Sequence, residues 1–132
     1  MPVRPSSHPT EAELEILNVL WRRGPSTVRE VHEVLQADRT TGLTTTLKLL
    51  QVMTEKGLVT RGDEPRPHRY TPASPEEKTQ AGLLGDLAQR AFEGSLRKLL
   101  IRAVEDGGLG SDELEELQAL IDSIRKGQRG ET

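Results

Sequence analysis

The side chains that could act as nucleophiles, acid–base groups or metal ligands are few in this chain. It contains no cysteine, which removes thiolate nucleophiles, disulfides and cysteine-based metal sites. Of its three histidines (His8, His32 and His68), His32 has no second histidine at ligand spacing. Residues 106–117 superficially resemble a calcium loop, but Leu117 stands where a bidentate glutamate is needed. We therefore expect no enzyme, no metal and no cofactor.

A different chemistry is available in residues 43–57, LTTTLKLLQVMTEKG, where three threonines open an apolar run with helical spacing. Threonine is a mediocre helix former because its branched β-carbon restricts its rotamers. Its hydroxyl, however, can bond a phosphate or a base edge, and its methyl can contact a thymine methyl. A helical wheel places Leu43, Thr46, Leu47, Leu50, Met53 and roughly Leu49 inward, and Thr44, Thr45, Lys48, Gln51 and Glu55 outward.

Three short helices would position these threonines. Capping boxes predict the starts of the first two helices, and they are Thr10–Glu13 and Thr27–Glu30. The third helix is expected from about Leu43 to Lys56, where Gly57 provides a left-handed C-cap. The helical order therefore places the threonines at the start of the third helix.

A β-hairpin is predicted to follow the third helix. Residues 58–62 and 68–72 are rich in strand-forming side chains, and two prolines in 63–67 interrupt the periodicity between them. Three helices and a hairpin are the plan of a winged helix-turn-helix. In such a unit the third helix enters the major groove of DNA with its first residues toward the base edges.

The candidate DNA-binding residues combine hydroxyl groups on the third helix with positive groups on the hairpin. They are Thr27, Arg39, Thr44, Thr45, Lys48, Gln51, Arg61, Arg66, His68 and Arg69. Binding through such groups would be salt-sensitive because each neutralised phosphate releases counterions. A plainer alternative is that the arginines are ordinary solvated residues and the threonines an N-cap cluster.

Residues 73–126 are expected to form three helices with leucine-rich stripes. These stripes are more apolar surface than about 50 residues can hide alone, so a second copy is expected to cover them. The candidate dimerisation residues are Leu84, Leu87, Phe92, Leu96, Leu99, Leu100, Leu114, Leu117, Leu120 and Ile121. A monomeric helical bundle is the alternative.

The expected fold class is mainly α with a small β-hairpin, arranged as a winged helix-turn-helix followed by a three-helix dimerisation domain. The predicted divisions are a disordered N-terminus (1–9), the winged helix (10–72), the dimerisation domain (73–126) and a frayed tail (127–132). No apolar run approaches a membrane span of about 20 residues. No signal peptide begins the chain, so a cytoplasmic location is expected.

The segments 11–21, 26–35, 44–61, 68–72, 91–100 and 109–121 together resemble the BlaI/MecI penicillinase-repressor family and its copper-responsive CopY relatives. This resemblance implies a dimeric transcriptional repressor that binds a palindromic operator in double-stranded DNA, with a regulatory protease as a further partner. Thr44 and Thr45 match the start of the family's recognition helix. Lys48 stands where threonine is usual, and Val52 where arginine is common.

Two departures bear on how repression would be relieved. The cysteine motif of the copper branch is missing, because the chain has no cysteine. The Asn-Phe bond cleaved in β-lactam-responsive members aligns with Arg102-Ala103. Two other functions stay open: a winged helix that binds another protein, and a regulator with an effector site in its dimerisation domain.

Overall fold

The structure of the protein, a computed structural model, describes residues 8–36 and 42–130. The elements in these ranges are α1 (Glu11–Arg23), α2 (Val28–Leu35), α3 (Leu43–Lys56), β1 (Val59–Arg61), β2 (Tyr70–Pro72), α4 (Glu76–Ala91), α5 (Leu96–Glu105) and α6 (Ser111–Gly130). The predicted mainly α fold with a small hairpin is confirmed. None of the described helices is long and apolar enough to cross a membrane. The candidate contact Arg39 and most of the predicted segment 1–9 lie outside the described residues.

Local hydrogen bonds start α1 and α2 as the capping boxes predict. The Thr10 Oγ1 atom accepts from the Glu13 amide at 3.2 Å, and Glu13 Oε1 accepts from the Thr10 amide at 2.9 Å. Thr27 and Glu30 repeat the same exchange at 3.2 and 2.9 Å. Each box satisfies backbone donors that the first helical turn would otherwise leave unpaired.

Helix α3 begins after Gly42 without a side-chain cap and ends at Gly57, which has a φ of 83°. Thr46 is fully buried, and its hydroxyl lies 3.4 Å from the Gly42 carbonyl oxygen to which it donates. The wheel prediction is wrong for Leu47, which is 36% exposed. The core contacts of α3 centre on Thr46 and Leu50, so position 47 lies at the edge of the buried face and faces a hollow beside the hairpin.

The hairpin pairs β1 and β2 in antiparallel register, with Thr60 opposite Thr71 and Arg61 opposite Tyr70. A single bridge adds a segment that the sequence did not predict. The Ser26 amide donates to the Tyr70 carbonyl oxygen at 3.2 Å, and the Tyr70 amide donates to the Ser26 carbonyl oxygen at 2.8 Å. These two bonds tie the start of α2 to the hairpin.

One hydrophobic core joins α1, α2, α3 and the hairpin. Its buried side chains are Ile16, Leu17, Val19, Leu20, Val31, Leu50, Met53, Val59 and Tyr70. Burial of each large aliphatic side chain contributes about 1.5–3 kcal/mol. This core covers the inner face of α3, and Thr44, Thr45, Lys48 and Gln51 on its outer face stay exposed.

An ion pair joins the end of α3 to the first turn of α1. The Lys56 Nζ atom, at the end of α3, lies 2.8 and 2.9 Å from the carboxylate oxygens of Glu13 in α1. Burial of Glu13 raises the pKa of its carboxyl, but hydrogen bonds from Lys56 and the Thr10 amide outweigh it and lower that pKa overall. Glu13 therefore both starts α1 and anchors α3.

The described part of the chain divides into two compact units, and the division falls after Leu84, inside α4. The expected domain boundary after residue 72 stays a prediction. In the first unit, the Trp21 Nε1 atom donates to the Ser74 carbonyl oxygen at 3.1 Å, which attaches the segment after the hairpin to α1. In the second unit, Ala88 and Leu99 are buried. Helix α6 extends from Ser111 to Gly130 and so includes the first residues of the segment 127–132.

Candidate nucleic-acid interface

The outward face of α3 presents the predicted polar side chains together. Thr44, Thr45, Lys48 and Gln51 are all exposed. They lie on adjacent turns because positions three and four apart are neighbours on a helix. The opposite face of α3 packs on the hydrophobic core, so these side chains project outward from a helix that the core holds in place.

On one flank of this face lies a shallow hollow of about 290 Å³. Its lining residues are Thr44, Thr45, Lys48, Leu49 and Val52. Leu49 and Val52 are half-buried, so each contributes apolar surface beside the exposed threonines. Sequence reasoning left these two residues out of the site, although the spacing of 45, 48, 49 and 52 follows one side of a helix.

On the other flank, a hollow of about 570 Å³ separates α3 from the hairpin. Its lining residues are Val28, Leu47, Gln51, Arg61, Arg66, Pro67, His68 and Tyr70. Four of them are predicted site residues that come from α3, β1 and the segment before β2. The structure therefore brings Gln51, Arg61, Arg66 and His68 together around one opening.

The charges around this opening are only partly compensated. Within the described residues, neither Arg61 nor Arg66 makes an ion pair. Lys48 on the α3 face is likewise without a described acidic neighbour at ion-pair distance. The His68 Nδ1 atom is buried without a hydrogen-bond partner among the described residues. The surface around α3 therefore carries three positive side chains, Lys48, Arg61 and Arg66, that no carboxylate of the described residues neutralises at ion-pair distance.

Arg69 has a different environment from Arg66, although both were predicted to bind DNA. Its Nη1 atom lies 3.3 Å from Glu30 Oε1, and Arg23 approaches the same carboxylate at 3.8 Å. The pKa of Glu30 is lowered, first by the hydrogen bond from the Thr27 amide and then by Arg69 and Arg23. Glu30 was predicted only as a helix cap, and the structure shows that it also holds a hairpin arginine.

Thr27 is the predicted contact residue with the least accessible side chain. It is 7% exposed, and its hydroxyl oxygen accepts from the Glu30 amide. Its observed role is therefore to cap α2. No group of three or more potential metal-ligating side chains occurs in the part of the chain that the structure describes.

The predicted dimerisation residues are mostly exposed in the isolated chain. Phe92 is half-buried, and Leu99 is an exception because only 8% of it is exposed. The exposed members are Leu84, Leu87, Leu96, Leu100, Leu114, Leu117, Leu120 and Ile121. Every side chain described for α6, residues 111–128, is exposed, including its apolar stripe.

Three helices with a hairpin packed on one core, and the third helix bare on its outer side, define the winged helix-turn-helix class. The model of the penicillinase repressor family matches residues 9–123. The chain belongs to that family, as its sequence segments indicated.

Individual relatives agree with this assignment. The chain is 36% identical to the transcriptional regulator BlaI of Mycobacterium tuberculosis over 119 residues, which cover 89% of this chain and 85% of the relative. It is 25% identical to the penicillinase repressor of Bacillus licheniformis, over 86% of this chain and 88% of that protein. The methicillin resistance regulatory protein MecI of Mammaliicoccus sciuri is 22% identical, over 85% of this chain and 91% of that protein.

Two solved structures are also similar. The solution structure of the DNA-binding domain of the repressor BlaI aligns with a TM-score of 0.49 and 29% identity, and the alignment covers 58% of this chain and 90% of that domain. The monomeric form of Bacillus licheniformis BlaI, solved in complex with the blaP half-operator, aligns with a TM-score of 0.48 and 28% identity, over 58% and 92%.

Proposed function

We propose that this protein is a dimeric, sequence-specific transcriptional repressor that binds a palindromic operator in double-stranded DNA and acts in the cytoplasm. The observation that carries the proposal is the exposed face of α3. There Thr44, Thr45, Lys48 and Gln51 lie beside a hairpin that carries Arg61 and Arg66. The family membership supports the same function, since its matched relatives are named as repressors and transcriptional regulators.

The residues divide into two roles. Thr44, Thr45, Lys48 and Gln51 enter the major groove, where hydroxyl, ammonium and amide groups meet base edges. Arg61, Arg66 and His68 border the adjacent hollow and meet phosphates or the flanking minor groove. These contacts position the protein on the duplex, whereas the contacts of α3 provide sequence preference.

Arg69 and Thr27 have more limited parts in this interface. Arg69 forms an ion pair with Glu30, so its attraction to a phosphate is partly cancelled by that carboxylate. Thr27 acts through the cap that it provides for α2. Both residues therefore contribute to DNA binding mainly by positioning α2 and the hairpin.

Dimerisation follows from the exposed apolar residues of α4, α5 and α6. Exposure of several leucines to water is unfavourable, because the burial of each one would contribute about 1.5–3 kcal/mol to the free energy of association. Helix α6 alone exposes Leu114, Leu117, Leu120, Ile121 and Ile124. A second copy supplies the same stripe and buries both. Twofold symmetry then requires half-sites spaced by about one helical turn of DNA or a multiple of it.

A regulatory protease is the remaining partner that the family resemblance implies. The bond aligned with the family's cleavage site is Arg102-Ala103, and both residues are exposed in α5. A protease that requires Asn-Phe would not recognise this pair. We therefore propose that derepression depends on a protease of different specificity or on another signal.

Binding of duplexes tests the proposal directly. The full chain is titrated, at moderate salt, against the DNA that precedes its own gene and against a random duplex of equal length and composition. We expect tight binding to the first duplex, with two protein chains in each complex by sedimentation. Equal, weak binding to both duplexes would contradict sequence-specific repression and favour a winged helix that binds another protein.

A further inference from the structure

The hollow on one flank of the outward face of α3 has a mainly apolar lining. Leu49 and Val52 are the aliphatic residues of its lining, and Thr44 and Thr45 line it beside them. Among the described residues of the lining, Lys48 is the one that carries a charge. The hollow therefore suits a small apolar group that is attached to something negatively charged.

Duplex DNA presents one such apolar group in the major groove, the 5-methyl of thymine. No other base edge of unmodified DNA carries a hydrocarbon group there, and the neighbouring phosphates supply the negative charge for Lys48. The hollow is also continuous with the exposed threonines at the start of α3. A helix that enters the groove by this end brings the hollow against the base edges.

We propose that Leu49 and Val52 form a receptor for thymine 5-methyl groups, so that these two residues help to select A·T pairs in the operator. This inference rests on the proposed function, since it needs α3 in the major groove. It adds two specificity-determining residues that have no hydrogen-bonding group of their own. Thr44 and Thr45 provide the polar contacts beside them.

The test removes single methyl groups from the DNA. The full chain first enriches its preferred duplex from a randomised pool, and each thymine of that duplex is then replaced separately by deoxyuridine. Deoxyuridine lacks only the 5-methyl group. We expect at least one position in each half-site to lose about fourfold in affinity, the value for one methyl-sized apolar group.

Protein variants then locate the receptor. In Val52→Ala the difference between thymine and deoxyuridine at that position should fall below about twofold, because the methyl loses its contact with one of the two aliphatic side chains. Val52→Thr keeps the side-chain shape and should reduce the same difference, which covers the case of a poorly folded alanine variant. Val34→Ala is the matched control, since Val34 is an exposed valine of α2 outside both hollows, and it should keep the full difference.

The outcomes separate this inference from the proposed function. If the enriched duplex binds tightly but no thymine responds to loss of its methyl, the receptor is refuted and the repressor function stands. The receptor is also refuted if Val34→Ala and Val52→Ala both abolish the difference in affinity between thymine and deoxyuridine. If a folded dimer enriches no sequence at all, both proposals fail.

Discussion

Arg69 of the hairpin and Glu30 of α2 form an ion pair with 3.3 Å between Nη1 and Oε1, although 39 positions separate them in the chain. The same carboxylate caps α2 through the Thr27 amide. One acidic side chain thus holds the start of α2 and one arginine of the hairpin together. It also lowers the positive potential of the surface that we propose meets DNA.

Removal of this negative charge should strengthen non-specific DNA binding. Glu30→Gln keeps an oxygen that can accept from the Thr27 amide but no longer neutralises Arg69 and Arg23. We expect the affinity for random duplex to rise about two- to fivefold at low salt. Fluorescence anisotropy titrations at several salt concentrations measure it.

Glu33→Gln is the control for this variant, because it removes an equal charge from an exposed position of the same helix. It should raise the affinity less than Glu30→Gln. Equal gains in affinity from the two variants would show that only the net charge matters. The ion pair between Glu30 and Arg69 would then have no specific effect on DNA binding.

Arg66→Ala should reduce the salt dependence of binding. Arg66 is exposed on the hairpin beside Gln51 and makes no ion pair with any described residue. Loss of one phosphate contact lowers the slope of log affinity against log salt by about one unit in each half-site. The loss of affinity should be similar for operator and random duplex. Arg97→Ala, an exposed arginine of α5, should leave the slope unchanged, and an unchanged slope in Arg66→Ala would refute its phosphate contact.

Lys56→Met should destabilise the fold and alter its response to acid. The variant leaves the buried Glu13 carboxylate without its charged partner, which should lower the free energy of unfolding by about 1–3 kcal/mol. In the wild type the folded-state pKa of Glu13 is lowered, so its contribution is present at neutral pH and is lost as pH falls through that pKa. Urea unfolding at neutral and acidic pH measures both effects.

The acid response distinguishes this pair from a general effect of charge. In Lys56→Met the Glu13 pKa should rise toward or above its ordinary value, so less stability should be lost between about pH 5 and pH 3 than in the wild type. Lys126→Met removes an exposed lysine of α6 and should change neither quantity. If Lys56→Met matched this control, the ion pair would have no energetic role.

Leu120→Asp should separate the proposed dimer. Leu120 is 55% exposed in the isolated chain and lies in the apolar stripe of α6. An aspartate at the centre of an interface between copies would bury a charge without a partner, which is strongly unfavourable. Sedimentation should shift from twice the chain mass to the 14.6 kDa monomer, and binding to the palindromic duplex should weaken by at least about tenfold.

Ala119→Asp is the matched control, because it places the same charge on the opposite side of α6, where the side chain is also exposed. It should leave the dimer intact. A dimer that survives Leu120→Asp would place the interface elsewhere on the protein.

Much of the fold was accessible from the sequence because its signals are local. The capping boxes at Thr10 and Thr27 act over three residues, and both form as predicted. Gly57 ends α3 because a positive φ at the C-cap is inexpensive for glycine. The 3.6-residue period likewise placed Thr44 and Thr45 on the outer face of α3. Such features depend only on bonds within one or two turns.

What only the tertiary structure decided depends on residues that are far apart in the chain. Leu47 is 36% exposed although the helical period places it on the inner side of α3, and Thr27 is buried next to Ser26, which bridges to Tyr70. The pair of Arg69 with Glu30 and the hollow that gathers Gln51 with Arg66 have the same origin. A periodic pattern specifies which side of a helix is apolar. It carries no information about how far a neighbouring element covers that side, because coverage is set by packing between distant segments.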